Sequence, residues 1–274
     1  LRTRRQRQMC IRDRCIKSIK RKFAMKNELL YSPLGGAGEI GMNMNLYAYG
    51  EPDNHKWIIV DIGVTFADDT YPGIDLIYPD AGFINDKKDN LLGIILTHAH
   101  EDHIGAVVYV WPKLKCQIYA TPFTAALLIE KFKEKKIDIT NYLKIVELGG
   151  KINLSPFKIE FVTLTHSIAE PNGLKIDTPS GTIFHTGDWK YDPDPLVGDK
   201  INSSRLKEIG EEGVMAMICD STNVFSIGRS GSEADVRKSL IDIIEKQKKR
   251  IIVTSFASNV ARMETIFFLS LIHI

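Results

Sequence analysis

The chain has 274 residues, 44% of them hydrophobic and 26% charged, enough for one large globular domain or for one domain and part of another. Its formal charge is +2, but residues 1–14 hold six arginines and one aspartate; the remainder carries −3, and −7 once Lys17, Lys20, Arg21 and Lys22 are also set aside. Net charge therefore gives no argument for a nucleic-acid partner, which would have to be gripped by local patches. No apolar run is long enough to span a bilayer, and no membrane association is expected.

The two ends read as foreign to the protein. Thr3 to Arg14 back-translates into a transposase sequencing adapter, and Leu269 to Ile274 into the reverse complement of that adapter's terminal repeat. Residues 1–24 are thus expected to be an adapter-derived and read-through tail, and 269–274 a second adapter-derived tail, with Met25 as the start codon. A natural basic arm for nucleic acid is the alternative. After Met25, Lys26, Asn27 and Glu28 precede only a short apolar patch, so no secretory pattern is present. Cys10 lies in the tail, and Cys15, Cys116 and Cys219 show no paired spacing; they are expected to be reduced thiols of a cytoplasmic protein.

Leu29-Leu30-Tyr31 leads into Gly35-Gly36-Ala37-Gly38-Glu39-Ile40-Gly41. Gly36, Gly38 and Gly41 match the dinucleotide-binding fingerprint, and Asp61 sits twenty residues later. That fingerprint must open a helix. Here an alternating segment, Met44 to Tyr49, a turn at 50–54 and a second strand, Trp57 to Asp61, predict a β-hairpin instead. The glycines are read as a turn that allows close backbone approach. Asp61, at a strand end, is either a carboxylate that orients a metal-binding histidine or an ordinary turn residue.

The apolar run Gly93 to Leu96 delivers Thr97-His98-Ala99-His100-Glu101-Asp102-His103. In extended backbone His98, His100 and Asp102 fall on one side, and a helix is expected to follow from Ile104 to Trp111, ending at Pro112. Three imidazoles and a carboxylate exceed what one catalytic zinc needs, so the cluster points to two divalent ions. Gln117 to Ala120 reads as a strand. Thr121-Pro122 opens a helix with Ala126, Leu127, Ile129 and Phe132 inward and Lys131, Lys133 and Lys135 on a solvated face. Strands at 152–154 and 159–164 lead to His166, and one at 181–186 leads to Asp188. Alone, His166 is a core histidine or a ligand, and Asp188 a turn residue or a bridging carboxylate; after the cluster, each supplies what the site lacks. His185 is read as a satisfied interior histidine. Val214 to Cys219 reads as a buried strand ending in Asp220-Ser221-Thr222-Asn223. A helix from about Glu233, with Val236, Leu240, Ile243 and Ile244 on one stripe, a strand at 251–254 and a last helix follow. This alternation marks a second domain from about residue 224.

His98-x-His100-x-Asp102-His103 after a strand resembles the signature of the metallo-β-lactamase fold. Gly63 to Asp69, Gly73 to Asp80, Asp220-Ser221-Thr222-Asn223 and Ser255-Phe256-Ala257-Ser258-Asn259 are similar to the ribonuclease J branch. The resemblance covers residues 29–268 and implies an α+β fold: an αββα sandwich over 25–223, followed over 224–268 by the start of an α/β β-CASP domain. It implies one metal on His98, His100, His166 and Asp188, and a second on Asp102, His103 and the shared Asp188. Asp61 stands behind these ligands, and Asp102 and Asp220 are the catalytic candidates. Nitrogen and oxygen donors without thiolate suit two Zn2+ ions and also accommodate Mn2+. The implied activity is metal-dependent hydrolysis of RNA phosphodiesters, exonucleolytic or endonucleolytic, by a homo-oligomer. The family's two further histidine motifs would lie beyond this sequence, so the chain is expected to be a C-terminally truncated and inactive piece. A thioester or lactone hydrolase of the same fold and a metal-binding scaffold are the alternatives.

Overall fold

The computed structural model describes residues 27–273; the expectations for residues 1–26 and for residue 274 lie outside them. β1 (Glu28–Gly35), β2 (Met44–Gly50) and β3 (Lys56–Val60) make an antiparallel meander. A small hairpin of β4 (Thr65–Phe66) and β5 (Leu76–Ile77) and one helical turn, α1 (Gly82–Asn85), follow. β6 (Leu91–Ile95), β7 (Ile118–Ala120) and β8 (Leu143–Ile145) then extend the first sheet in parallel, in the order β1-β2-β3-β6-β7-β8. The crossovers carry α2 (Glu101–Ile104), α3 (Val107–Leu114) and α4 (Pro122–Glu134), as parallel connections require.

The second sheet runs β9 (Lys151–Leu154), β10 (Phe157–Thr163), β11 (Asn172–Thr178), β12 (Gly181–His185) and β13 (Ala216–Ile218), antiparallel except for the β12–β13 pair. α5 (Ser203–Glu212) precedes β13, and α6 (Glu233–Ile244) and α7 (Val260–His273) close the described chain.

Alternation along β2 builds the layers. Tyr47 and Tyr49 join Ile58, Val60, Phe157, Phe161 and Leu174 between the sheets. Met44, Leu46 and Ala48 point the other way, onto Val107, Trp111, Leu128 and Phe132 of the helices. Val162 and Phe184 on the outer face of the second sheet meet Ile209 of α5. The result is helix, sheet, sheet, helix, the sandwich expected. Each large side chain buried this way is worth about 1.5–3 kcal/mol relative to exposure.

Several local expectations are corrected. The metal loop is not extended through Asp102: it turns into α2 at Glu101, with His100 as the extended N-cap residue. Pro112 sits inside α3 rather than ending it, since an eight-residue helix forfeits only one backbone bond there; Lys115, at φ 49°, ends it. α4 buries Thr124, Ala125, Leu128 and Phe132, while Leu127 and Ile129 are exposed and Ala126 faces solvent. Apolar residues ring that helix, and the sheet beneath selects the 125–128–132 stripe. The strand Asn172–Thr178 was not expected, because its two apolar inward positions alternate with polar residues and a glycine. β13 is a half-exposed edge strand rather than a buried one, with Met215 and Met217 facing out. Residues 251–254 pair with no strand among the described residues, and Ile243 of α6 is exposed.

Candidate metal centre

The candidate ligands are gathered at one edge of the sandwich by the segments that follow β3, β6, β10 and β12. Past β3, Asp61 takes a left-handed backbone, φ 62°, and is wholly buried. Its Oδ1 accepts the Thr97 backbone N–H at 2.8 Å, and its Oδ2 accepts the Thr97 hydroxyl and His103 Nδ1–H, each at 2.8 Å. Thr97 Oγ1, having donated to Asp61, accepts from His98 Nδ1 at 3.0 Å. One buried carboxylate thus sets two tautomers, leaving His98 Nε2 and His103 Nε2 with free lone pairs. The Asp61 contacts thus run to Thr97 and His103 rather than to a turn of its own.

His98 Nε2 and His166 Nε2 lie 3.1 and 3.2 Å from His100 Nδ1. Nitrogens bound to one tetrahedral zinc at about 2.0–2.1 Å stand about 3.3 Å apart, so this donor set fits a divalent ion. His103 Nε2 is 3.3 Å from Asp188 Oδ1 and 3.6 Å from Asp102 Oδ2. Asp188 Oδ2 reaches to 3.8 Å from His166 Nε2. His98 is common to a trio of His98, His100 and His166 and a group of His98, His103 and Asp188; Asp102 stands beside the second group, and Asp188 reaches from it toward His166. The sequence-predicted metal residues are all brought together.

Backbone contacts fix the loop. Ile62 N–H donates to His103 O, Val64 N–H to Glu101 O, and Asn43 N–H to Asp102 O, at 2.8–3.0 Å. The Asn43 side chain also donates to Asp102 O at 3.1 Å, and its Nδ2 lies 3.2 Å from His103 Nε2. Gly63 has to be glycine, because a Cβ there would lie 1.6 Å from Asp102 O. His166 is set by Thr165, which accepts the backbone N–H of Lys190, two residues past Asp188, and donates its hydroxyl to the Lys190 carbonyl.

Burial, reinforced by the neighbouring imidazoles, holds His98 well below the usual histidine range and brings His166 to about 4. Burial lowers His100 as well. Burial also opposes charge on His103, but Asp61 and Asp188 override it and push that imidazole well up. Asp188 is drawn down to about 2, its burial outweighed by His103, His166 and His100. Neutral His98, His100 and His166 and ionised Asp188 are in the protonation states a metal needs, whereas an ion beside His103 would have to displace the proton that Asp61 and Asp188 favour there.

A cleft of about 530 Å³ opens over the second group. Asp102, His103 and Asp188 meet there the glycine turn at Gly36–Gly41 and Asp220, Ser221 and Thr222. Asp220 is half-buried, its amide donating to Thr186 Oγ1 at 3.0 Å and its Oδ1 accepting from Thr222 N–H at 2.9 Å. His185 is buried as expected, with Nδ1 2.8 Å from the Tyr47 hydroxyl. The sequence reading missed Thr97, Asn43 and Ser258, whose carbonyl lies 3.3 Å from His100 Nε2. Only Thr97, at the strand end beside His98, carried a local signal.

An αββα sandwich with histidines and aspartates at one edge defines a class, and the β-lactamase superfamily domain matches residues 56–206, more than half of the chain. This chain belongs to that superfamily. Its curated relatives include ribonuclease J of Sinorhizobium meliloti, 47% identical over 246 residues that make up 89% of this chain and 43% of the relative. Ribonuclease J of Corynebacterium glutamicum is 42% identical over 88% of this chain and 33% of its own, and that of Thermus thermophilus 33% identical over 85% and 41%. The chain thus spans less than half the length of these relatives. A crystal structure of a protein of unknown function from Enterococcus faecalis V583 superposes with a TM-score of 0.60 at 18% identity, covering 88% of this chain and 63% of that one, a likeness of fold. No helix among the described residues is long and apolar enough to cross a membrane.

Proposed function

We propose that the protein from which this chain comes is a metal-dependent ribonuclease of the ribonuclease J type, acting in the cytoplasm as an exonuclease, an endonuclease or both. The observation that carries the reading is the pair of donor groups that share His98, the second of them, with His103 and Asp188, opening onto a cleft. The relatives named ribonuclease J add the substrate class. His98, His100, His166 and Asp188 would hold one divalent ion, and Asp102, His103 and Asp188 a second. Zinc suits these donors, and manganese is accommodated. When bound, two such ions supply Lewis-acid activation of water and neutralise phosphoryl charge.

The chain's own residues do the positioning. Asp61 and Thr97 keep His98 and His103 in the ligating tautomer. Asp102, its carboxylate opening onto the cleft, is placed to receive a proton from the attacking water. Asp220 faces the same space from β13 and is assigned to the neighbourhood of the scissile phosphate. The chain after Asp220, with α6 and α7, is read as the start of a β-CASP domain. That segment favours an RNA substrate over the thioesters or lactones cleaved by smaller members of the fold.

Cleavage of a 5′-monophosphorylated RNA by the full-length product of the gene tests this, with His98→Ala and Asp188→Ala beside it. Loss of cleavage and of bound metal in folded variants is the expected result. Wild-type rates in either variant would remove that residue from the site.

A further inference from the structure

Glu233, the first residue of α6, has a side chain only 8% exposed and two cations on it. Lys190 Nζ lies 3.1 Å from its Oε1, and Arg262 places Nε and Nη2 3.2–3.5 Å from its carboxylate. Its backbone N–H donates to Asp192 Oδ2 at 3.0 Å. Both cations lead back to the ligands. Lys190 is pinned to Thr165, its N–H donating to Thr165 O at 2.9 Å and its carbonyl accepting from Thr165 Oγ1, so it ties the neighbour of His166 to the stretch that bears Asp188. Arg262 lies in the first turn of α7, where its N–H donates to the Asn259 side chain at 2.9 Å. The residue before that cap is Ser258, whose carbonyl stands 3.3 Å from His100 Nε2.

That carbonyl has a defined task. His100 turns Nδ1 toward His98 and His166, so its proton belongs on Nε2, and Ser258 O is the acceptor that keeps it there. Three ligands, His100, His166 and Asp188, are thus reached through one carboxylate.

We propose that Glu233 is a positioning residue for the metal centre, holding the turn that orients His100 and the loop that bears Asp188 in register with each other. The proposal rests on the reading of the histidine–aspartate cluster as a divalent-cation site. A buried ion pair contributes little net stability compared with apolar packing, but it fixes one arrangement of the segments it joins. Outer groups that orient ligands typically change metal affinity 10–100-fold when lost.

The experiment loads the chain with cobalt(II) and records its visible absorption spectrum and its affinity in competition with a chelator. Glu233→Gln, Arg262→Met and Glu160→Gln are compared with wild type. Glu160 is the control, another ion-paired buried carboxylate, held by Arg205 on the second sheet. Glu233→Gln and Arg262→Met should each alter the cobalt spectrum and weaken binding roughly 10–100-fold, while Glu160→Gln leaves both unchanged. Should Glu233→Gln fail to fold, Arg262→Met decides, its side chain being 30% exposed. A wild-type spectrum and affinity in Arg262→Met, or an equal loss in Glu160→Gln, overturns the proposal. Wild-type protein that takes up no cobalt overturns the metal reading itself, and this proposal with it.

Discussion

Asp61 Oδ2 lies 2.8 Å from His103 Nδ1 across 42 positions of sequence, inside a pocket closed to solvent. The same oxygen accepts the Thr97 hydroxyl that receives His98 Nδ1–H. Asp61→Ala is expected to weaken divalent-metal binding about 10–100-fold, and to cost about 1–3 kcal/mol of stability for each buried donor left unpaired. Asp61→Asn should do no better for metal, because an amide nitrogen in place of Oδ2 faces two donors. Zinc affinity by chelator competition, beside urea unfolding, checks this. Unchanged affinity in both variants would end the argument.

Gly63 is the tightest contact in the loop. Gly63→Ala puts a methyl 1.6 Å from Asp102 O, and the only relief is to push the α2 loop away from β3. Overpacking of this kind costs about 1–3 kcal/mol. The expected outcome is a folded protein with a lower melting temperature and reduced metal content, measured by elemental analysis. Full metal content would show that the loop can retreat without moving Asp102 or His103.

In the chain as described, zinc should bind one site more tightly than the other. His98, His100 and His166 give three imidazoles within reach of one ion, whereas His103 has only carboxylates and the shared residues beside it. Isothermal titration should resolve one strong site, abolished by His166→Ala, and a weaker one. Two equal sites would contradict this.

Glu160 gives a pH prediction. Its carboxylate receives Arg205 Nε and Nη2 at 2.7 and 2.8 Å, which pulls its pKa below the usual range despite its burial. A carboxyl with a depressed folded-state pKa stabilises fully above its unfolded value of about 4.3, and that stabilisation fades as pH falls through the folded value. The wild type should therefore lose stability more steeply than Glu160→Gln as pH falls below about 4.3. Parallel curves from chemical denaturation would remove Glu160 as a contributor.

Between the sheets, Phe161 is fully buried against partners of the opposite layer. Phe161→Ala should cost about 3–5 kcal/mol, read as a shift in denaturant midpoint with an unchanged slope. A cost below about 1 kcal/mol would mean that the layers close over the gap.

Periodicity made the hairpin of β2 and β3 legible, and chemistry made the metal residues legible. Alternation is a local property of strands, and ligand types clustered within a few positions need no tertiary knowledge to be noticed. His98, His100, Asp102 and His103 could therefore be chosen as candidates from the cluster itself, whereas His166 and Asp188, each just past a strand end, are open to a bland reading until the cluster calls for them. The face of α4 could not. Its sequence offers apolar residues at 125, 127, 128 and 129 alike, and only packing against the first sheet decides that Ala125 and Leu128 go in while Leu127 and Ile129 stay out. The turn of the metal loop into α2 at Glu101 is a tertiary decision too, made by amides and carbonyls of residues 43 and 62–64 that close on it. So are the contacts that place the protons. Asp61 on two histidines, Ser258 on His100 and Glu233 between Lys190 and Arg262 each join residues dozens of positions apart. Sequence determined which groups can bind a metal, because that is a property of side chains; the fold determined which nitrogen each presents, because a hydrogen bond to the other nitrogen exists only once the distant chain has arrived.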